Sequence, residues 1–189
     1  MALPHYSQDQ TSKKGMQYEP VQANLFEVTI LPPAGVADSP LLIQHVNSIA
    51  GLDLYKAIEA KTQKFKFATR SYAGMPTETS VDVTVNFSLN LNNSNQAYLY
   101  KTLRQWYNKQ FDPQTGVMGL KKDYVGTLVV VQFNRAGDIY REFTFSPVFV
   151  YGDSSLTDEM KLNYTEDGIY TAKFNFIADS YTETRNGQF

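Results

Sequence analysis

One stretch of the chain alternates apolar and polar residues without a break, and it reads VDVTVNFSLNLN over residues 81–92. Its odd positions carry Val, Phe or Leu, and its even positions carry Asp, Thr, Asn or Ser. Because successive side chains of a strand point to opposite faces, this pattern predicts one long strand with an apolar face and a polar face. The polar face has only one charged residue, Asp82, and is otherwise built from short neutral groups. This face has two interpretations, an ordinary solvated sheet face and a hydrated wall that does not bind what passes along it.

Other runs predict further strands. They are NLFEVTIL from Asn24, LLIQHVNSI at 41–49, a short alternation at 64–67, YVGTLVVVQF at 124–133, the run at 139–146, VFVY before Gly152, MKLNY at 160–164 and the last strand at 170–179. Pro32-Pro33 ends the first of these runs. The segments 134–138 and 165–168 contain Gly137 and Asp167-Gly168, which are typical of hairpin turns.

A single segment, NSNQAYLYKTLRQWYNKQF, has helical periodicity. It starts in a cluster of Asn and Ser residues that can cap a helix, and Asp112-Pro113 ends it. Leu99, Leu103 and Trp106 stand at positions i, i+4 and i+7, on one face of the predicted helix. This spacing favours a core face over a ligand groove.

These elements predict a mainly β fold, a β-sandwich or barrel with one flanking α-helix and a long irregular loop. The 189 residues suit one domain with arms. Residues 1–20 are polar and predict a flexible N-terminal arm, residues 21–182 form the β domain, and residues 183–189 form a polar C-terminal tail.

Charge and candidate chemistry narrow the function further. A net charge of −2 argues against general electrostatic binding of nucleic acid or anionic lipid. The chain has no cysteine, only two histidines and no nucleophile, phosphate-loop or dinucleotide motif, so we predict no enzyme activity, no cofactor and no metal. No run approaches the roughly 18 apolar residues of a membrane span. We expect a soluble protein that is made in the cytoplasm.

The order of these features resembles the tail tube proteins of contractile-tailed bacteriophages. ANLFEVTI resembles the first strand of that family, and TSVDVTVNFSLNL after a basic, irregular stretch resembles its inter-ring loop and long inner strand. NSNQAYLYKTLRQWYNKQF resembles its single helix, and LNYTEDGIYTAKFNFIADSY resembles its closing hairpin. The tail TETRNGQF and the long arm depart from the family. The haemolysin-coregulated protein of type VI secretion shares this tube architecture.

The resemblance implies hexameric rings that stack into a tube inside a contractile sheath, in a virion tail assembled in the host cytoplasm. DNA and the tape-measure protein would pass through the channel without sequence-specific binding. The other implied partners are further copies of the chain, the sheath protein, and tube initiator and terminator proteins, without stable membrane association. The implied lumen-facing residues are Asp82, Thr84, Asn86, Ser88 and Asn90. The implied inter-ring residues are Lys56, Lys61, Lys64, Lys66, Arg70 and Tyr72.

Two alternatives lie close to this interpretation: the tube of a secretion system or phage-like injection particle, and a tube-initiating baseplate protein. A monomeric β-sandwich binding module is the alternative from another class. A lumen that lets DNA slide should be poor in basic side chains, since these bind phosphates. Lys173, on the polar side of the last strand, conflicts with that expectation unless Asp179 or another neighbour offsets its charge.

Overall fold

The structure, a computed structural model, describes residues 22–36, 46–52, 54, 58–74, 80–88, 93–152, 154 and 171–186. Within these ranges the predicted mainly β fold is confirmed. The strands are β1 (Phe26–Leu31), β2 (Val46–Ala50), β3 (Ala60–Phe65), β4 (Ala68–Ala73), β5 (Val81–Ser88), β6 (Gly126–Phe133), β7 (Ile139–Val150), β8 (Thr171–Ala178) and β9 (Tyr181–Asn186). The helices are α1 (Asn93–Gln110) and the short α2 (Lys121–Tyr124).

Seven strands form one antiparallel sheet in the order β1-β6-β7-β8-β5-β2, and β9 also pairs with β7. β7 connects the two parts of this sheet, because its beginning pairs with β6 and β9 while its end pairs with β8. Val148 lies opposite Ala178 and Phe145 lies opposite Tyr181. β8 and β9 therefore follow one another along the same side of β7.

The alternation of β7 changes phase in the middle of the strand. Phe145 and Val148 are both fully buried although two residues, 146 and 147, separate them. The facing run has a matching interruption at 179–180, and backbone hydrogen bonds of 3.1 and 3.2 Å join the two interruptions. The register between β6 and β7 also shifts here, as expected for a β-bulge. The sequence predicts two separate runs at this point, whereas the structure has one strand of 12 residues that serves both parts of the sheet.

One hydrophobic core collects inward side chains from both parts of the sheet. The rings of Phe87 and Phe174, from adjacent strands, meet edge to face with centroids 6.2 Å apart. The other buried side chains of the core come from β1, β5, β6, β7, β8 and α1, and they include Val28, Ile30, Val83, Val85, Leu103, Trp106, Leu128, Val130, Phe143, Phe145 and Phe176.

Trp106 fixes α1 against the sheet. Its ring is fully buried 5.5 Å from the ring of Phe176, and its indole N–H donates a 2.8 Å hydrogen bond to the carbonyl of Tyr124. The first residue of β6 must be a glycine for this packing, because a Cβ on Gly126 would lie within 2.9 Å of two Trp106 ring atoms and 2.5 Å of the Leu31 carbonyl oxygen. One side chain thus ties the helix to β8, to α2 and to the start of β6.

Several boundaries differ from the sequence prediction. β9 continues to Asn186, so the segment predicted as a polar tail from residue 183 begins inside a strand that pairs with β7. β2 is described from Val46, and the predicted residues 41–45 lie outside the described ranges. Residues 89–92, the predicted strand at 160–164 and the turn at 165–168 also lie outside them. α1 begins at Asn93 and ends at Gln110, as its periodicity predicts.

Thr102 provides a test of the packing of α1. Its side chain is fully buried beside Leu103, and its hydroxyl finds no hydrogen-bond partner among the residues that the structure describes. A buried polar group without a partner lowers stability by about 1–3 kcal/mol. We expect Thr102→Val, which keeps the shape and a similar helix propensity, to raise the free energy of unfolding by about 1 kcal/mol.

The measurement is urea unfolding followed by the fluorescence of Trp106, which is the single tryptophan of the chain. Thr102→Ser is the matched control, since it keeps the hydroxyl and removes the methyl group, and we expect it to lower stability. A Thr102→Val variant no more stable than wild type would mean that the hydroxyl is satisfied in solution.

Candidate assembly surfaces

The polar side of β5 lies at the centre of a three-strand face. Val83, Val85 and Phe87 are at most 1% exposed, so the alternating residues of β5 point away from the core. β5 pairs with β2 on one side and with β8 on the other, and their outward residues extend the same face. We call this surface the polar wall, and its residues are Ser48, Ala50, Asp82, Thr84, Asn86, Ser88, Thr171, Lys173, Asn175 and Ile177.

Hydrogen bonds between side chains connect the three strands of the polar wall. The Thr84 hydroxyl donates to Asn175 Oδ1 at 2.8 Å, and Asn86 Nδ2 donates to Ser48 Oγ at 2.9 Å. Both pairs join residues directly opposite one another in the ladder. Cross-strand pairs of this kind contribute roughly 0.2–1 kcal/mol each. They also hold the polar groups against the wall instead of leaving them extended into solvent.

The polar wall carries one charge of each sign, from Asp82 and Lys173. Both residues are exposed, and Lys173 lies opposite Asn86 in the ladder. Asp179, the neighbour that could offset Lys173, forms an ion pair with Lys121 instead. The wall is therefore close to neutral as a whole, and Lys173 is its basic position.

Five of the six predicted inter-ring residues, Lys61, Lys64, Lys66, Arg70 and Tyr72, lie on a hairpin that projects from the domain. β3 and β4 pair only with each other among the described strands, and all six residues of each strand are exposed. Lys66 and Phe67 form the turn, and Phe67 is 91% exposed. The Lys/Phe alternation at 64–67, which predicts a short strand, therefore spans the end of β3 and a turn.

One face of the hairpin combines cations with aromatic rings. Lys61, Phe65, Arg70 and Tyr72 share this face by their register. The guanidinium carbon of Arg70 lies 5.9 Å from the centroid of the Phe65 ring, and Lys66 Nζ lies 5.5 Å from that of Phe67. Such cation–π contacts contribute about 0.5–1 kcal/mol at exposed sites. The face is suited to bind a surface that offers carboxylates together with apolar groups.

Two of the three residues on the predicted core face of α1 have described side chains. Leu103 and Trp106 are fully buried on the inward side of α1. Leu99 belongs to α1, but its side chain is not among those described. Lys56 and Asn90 lie outside the described ranges.

In the described part of the chain, no group of three or more His, Cys, Asp or Glu side chains could hold a metal ion. The helices of this part include none with the length and apolar character needed to cross a membrane.

Comparison with solved structures finds 19 matching chains. A chain of the PVC sheath–tube complex of an extracellular contractile injection system, in the extended state, has a TM-score of 0.57 and 16% identity, covering 93% of this chain and 99% of that one. A chain of the tube-terminating cap of the anti-feeding prophage has a TM-score of 0.53 and 17% identity, with coverages of 89% and 93%. A chain of the anti-feeding prophage baseplate has a TM-score of 0.54 and 8% identity, with coverages of 89% and 98%.

These similarities concern the fold, which this chain shares with components of contractile injection systems, as its resemblance to contractile tail tubes predicts. No protein-family model matches the sequence, and no curated protein matches it.

The exposed hairpin should contribute little to the stability of the domain. We expect a variant in which Asn-Gly replaces residues 61–72, so that Ala60 and Ala73 still pair, to unfold within about 0.5 kcal/mol of wild type. Urea unfolding followed by Trp106 fluorescence measures this. A loss of several kcal/mol would show that the hairpin packs on its own domain.

Proposed function

We propose that this chain is the structural subunit of a contractile-tail tube, in which copies form rings that stack around a channel inside a sheath. The observation that carries the proposal is the polar wall, a nearly neutral three-strand surface of short side chains on the side of β5 and β8 opposite the core. The fold shared with chains of contractile injection systems supports it. We assign the subunit to a bacteriophage tail, with DNA and the tape-measure protein as the cargo.

The sheet edges support ring formation. β1 and β2 stand at the two ends of the strand order, and β2 also borders the polar wall. Exposed edges are sites of further strand pairing, and a head-to-tail interface that closes on itself produces a ring. A neighbouring copy beside β2 would continue the wall from one subunit to the next.

The chemistry of the polar wall suits a passage for a polyanion. Lysine and arginine side chains bind phosphates and release counterions, which would hold DNA in place. Thr84 and Asn86 are instead neutral and bonded to neighbouring strands. Such a surface stays hydrated and offers DNA few attachment points.

The charge of the hairpin is evidence in favour of a role in contacts between stacked rings. Lys61, Lys64, Lys66 and Arg70 against Glu59 give residues 58–74 a formal charge of +3. Because the whole chain carries −2, the other residues together carry −5. A cationic projection on an acidic body favours head-to-tail attraction between copies, which steers association and weakens with salt.

Two related functions have support from the comparisons. The matching chains include one from a tube-terminating cap and one from a baseplate, so a terminating or initiating ring is the second candidate. A tube of a phage-like injection particle is the third, since these matches come from such particles. Purified rings that stack only on a pre-formed tube end would favour the second candidate, and tubes from particles without DNA would favour the third.

The proposed lumenal position of the polar wall can be tested by adding positive charge to it. We expect Asn86→Lys combined with Ser88→Lys to leave tube assembly unchanged and to slow the release of DNA from particles, because the new ammonium groups would bind phosphates. The measurement is DNA release from purified particles, followed with an intercalating dye at several salt concentrations.

The matched control is Asn108→Lys combined with Gln114→Lys, which adds the same charge at exposed positions of α1 and the loop after it. It should release DNA at the wild-type rate. Equal rates for both double variants and wild type would contradict the lumenal position of the polar wall.

The hairpin can be tested by assembly. Negative-stain electron microscopy of the purified wild-type chain across a concentration series should show rings and tubes. The variant with Asn-Gly in place of residues 61–72 should give folded subunits or single rings without tubes. Wild-type tube lengths from this variant would rule out an inter-ring role for β3 and β4, and a wild-type monomer at every concentration, even with tube ends added, would contradict the proposed function itself.

A further inference from the structure

A cluster of exposed apolar side chains lies at the end of α1 and in the loop that follows it. Val117, Met118 and Leu120 are 63%, 76% and 63% exposed, which is unusual for three large apolar residues within four positions. Phe111 and Tyr107 lie beside them, since Phe111 forms a β-bridge with Met118 and Tyr107 precedes it by one helical turn. We call these five residues the outer patch.

The outer patch is presented by an ordered loop. The Asp112 N–H donates to the Val117 carbonyl at 3.0 Å, and the Gly119 N–H donates to the Gln110 carbonyl at 2.9 Å. The carboxylate of Asp112 accepts hydrogen bonds from the Thr115 hydroxyl and the Gln114 N–H, which lower its pKa. The apolar groups are therefore held outward by a network of bonds within the loop.

The outer patch and the polar wall lie on opposite sides of the domain. Phe176 points inward from β8 and contacts Trp106, whereas its neighbours Asn175 and Ile177 point to the wall. α1 consequently covers the inward side of the β5–β8 sheet. If the polar wall faces the channel, the outer patch faces away from the tube axis, toward whatever surrounds the tube.

The surroundings of the outer patch are basic. Five cations and two acids, Asp112 and Asp123, give residues 101–123 a formal charge of +3 in a chain whose total is −2. Lys121 pairs with Asp179, whereas Lys101, Arg104 and Lys122 are exposed, and Arg104 precedes Phe111 by seven residues, about two helical turns. An exposed apolar cluster with a charged rim is the usual composition of a protein–protein interface.

We propose that the outer patch is the docking site for an acidic segment with apolar side chains that belongs to the protein layer enclosing the tube. This inference rests on the proposed function, which supplies an enclosing layer. Apolar side chains of the segment would cover Met118 and Leu120, and its carboxylates would pair with Arg104 and Lys101. The hairpin of a second copy is a poor occupant, because its charge of +3 would meet a rim of the same sign.

Site-specific cross-linking in assembled particles identifies the occupant. The photoreactive residue p-benzoylphenylalanine replaces Met118 in one variant and Thr182, an exposed residue of β9, in the control. After irradiation, mass spectrometry should find an adduct at position 118, and none at 182, with a peptide from another protein that contains several Asp or Glu residues. An adduct with this chain itself, a peptide without acidic residues, or no adduct would overturn the proposal.

Substitution separates this inference from the proposed function. We expect the triple variant Val117→Ser, Met118→Ser and Leu120→Ser to form tubes of wild-type appearance that carry about tenfold less of the enclosing protein. The double variant Lys101→Glu and Arg104→Glu should also lower the amount of enclosing protein on the tubes. The control Lys173→Glu, a charge reversal on the polar wall, should leave that amount unchanged. Tubes that are fully enclosed in both patch variants would refute the docking site and leave the tube intact, whereas absence of tubes from the wild-type chain would refute the proposed function.

Discussion

The packing of Trp106 decides how the two sides of this domain differ. Its indole lies against Phe176, bonds to the carbonyl of Tyr124 and occupies the space that a Cβ at Gly126 would need. Removal of such a ring from a core lowers stability by about 3–5 kcal/mol. Because this contact fixes α1 on the inward side of β8, the outward residues of the same strand, Lys173 and Asn175, point away from the helix. The polar wall and the outer patch are both consequences of that arrangement.

Because of the bulge in β7, the two parts of the sheet share a single hydrophobic core. A strand of strict alternation would present Phe145 and Val148 to opposite faces. One extra residue in β7, matched by one in the β8–β9 run at the same level, shifts the phase of the alternation, so both side chains are buried. The strands of the polar wall and the strands β1, β6 and β9 are thereby connected through β7 without a break in hydrogen bonding.

Regular burial of one face makes an element predictable from its sequence. β5 and α1 were predictable because both bury inward side chains at a regular spacing, with a period of two at Val83, Val85 and Phe87 and a helical period at Leu103 and Trp106. Of the β3–β4 hairpin, only a short strand at 64–67 was predicted within an irregular stretch, since the hairpin buries no side chain and its turn, Lys66-Phe67, lacks Gly, Asn and Pro.

Elements without regular burial were not predictable from the sequence. The end of β9 is one of them, because residues 182–184 (Thr-Glu-Thr) pair with β7 through their backbone and bury no large apolar side chain. The bulge in β7 was also not predicted, because apolar residues alternate with polar ones on both sides of it. Only the phase of that alternation changes, so the sequence resembles two separate strands. The outer patch has no periodic signal, because a bonded loop and not an amphipathic element presents Val117, Met118 and Leu120.

The hairpin has a further consequence for free subunits in solution. β3 and β4 pair only with each other among the described strands, and an isolated two-stranded ribbon is marginally stable at best in water. Its turn also lacks the positive φ angles of the favoured two-residue hairpin loops, since no described residue other than glycine has one. If the ribbon makes contacts between copies, as proposed, the apparent affinity between them falls by the fraction of free subunits that holds the paired shape. In the proposed tube, pre-organisation of fourteen residues, 60–73, would then affect how readily subunits exchange with an assembled end.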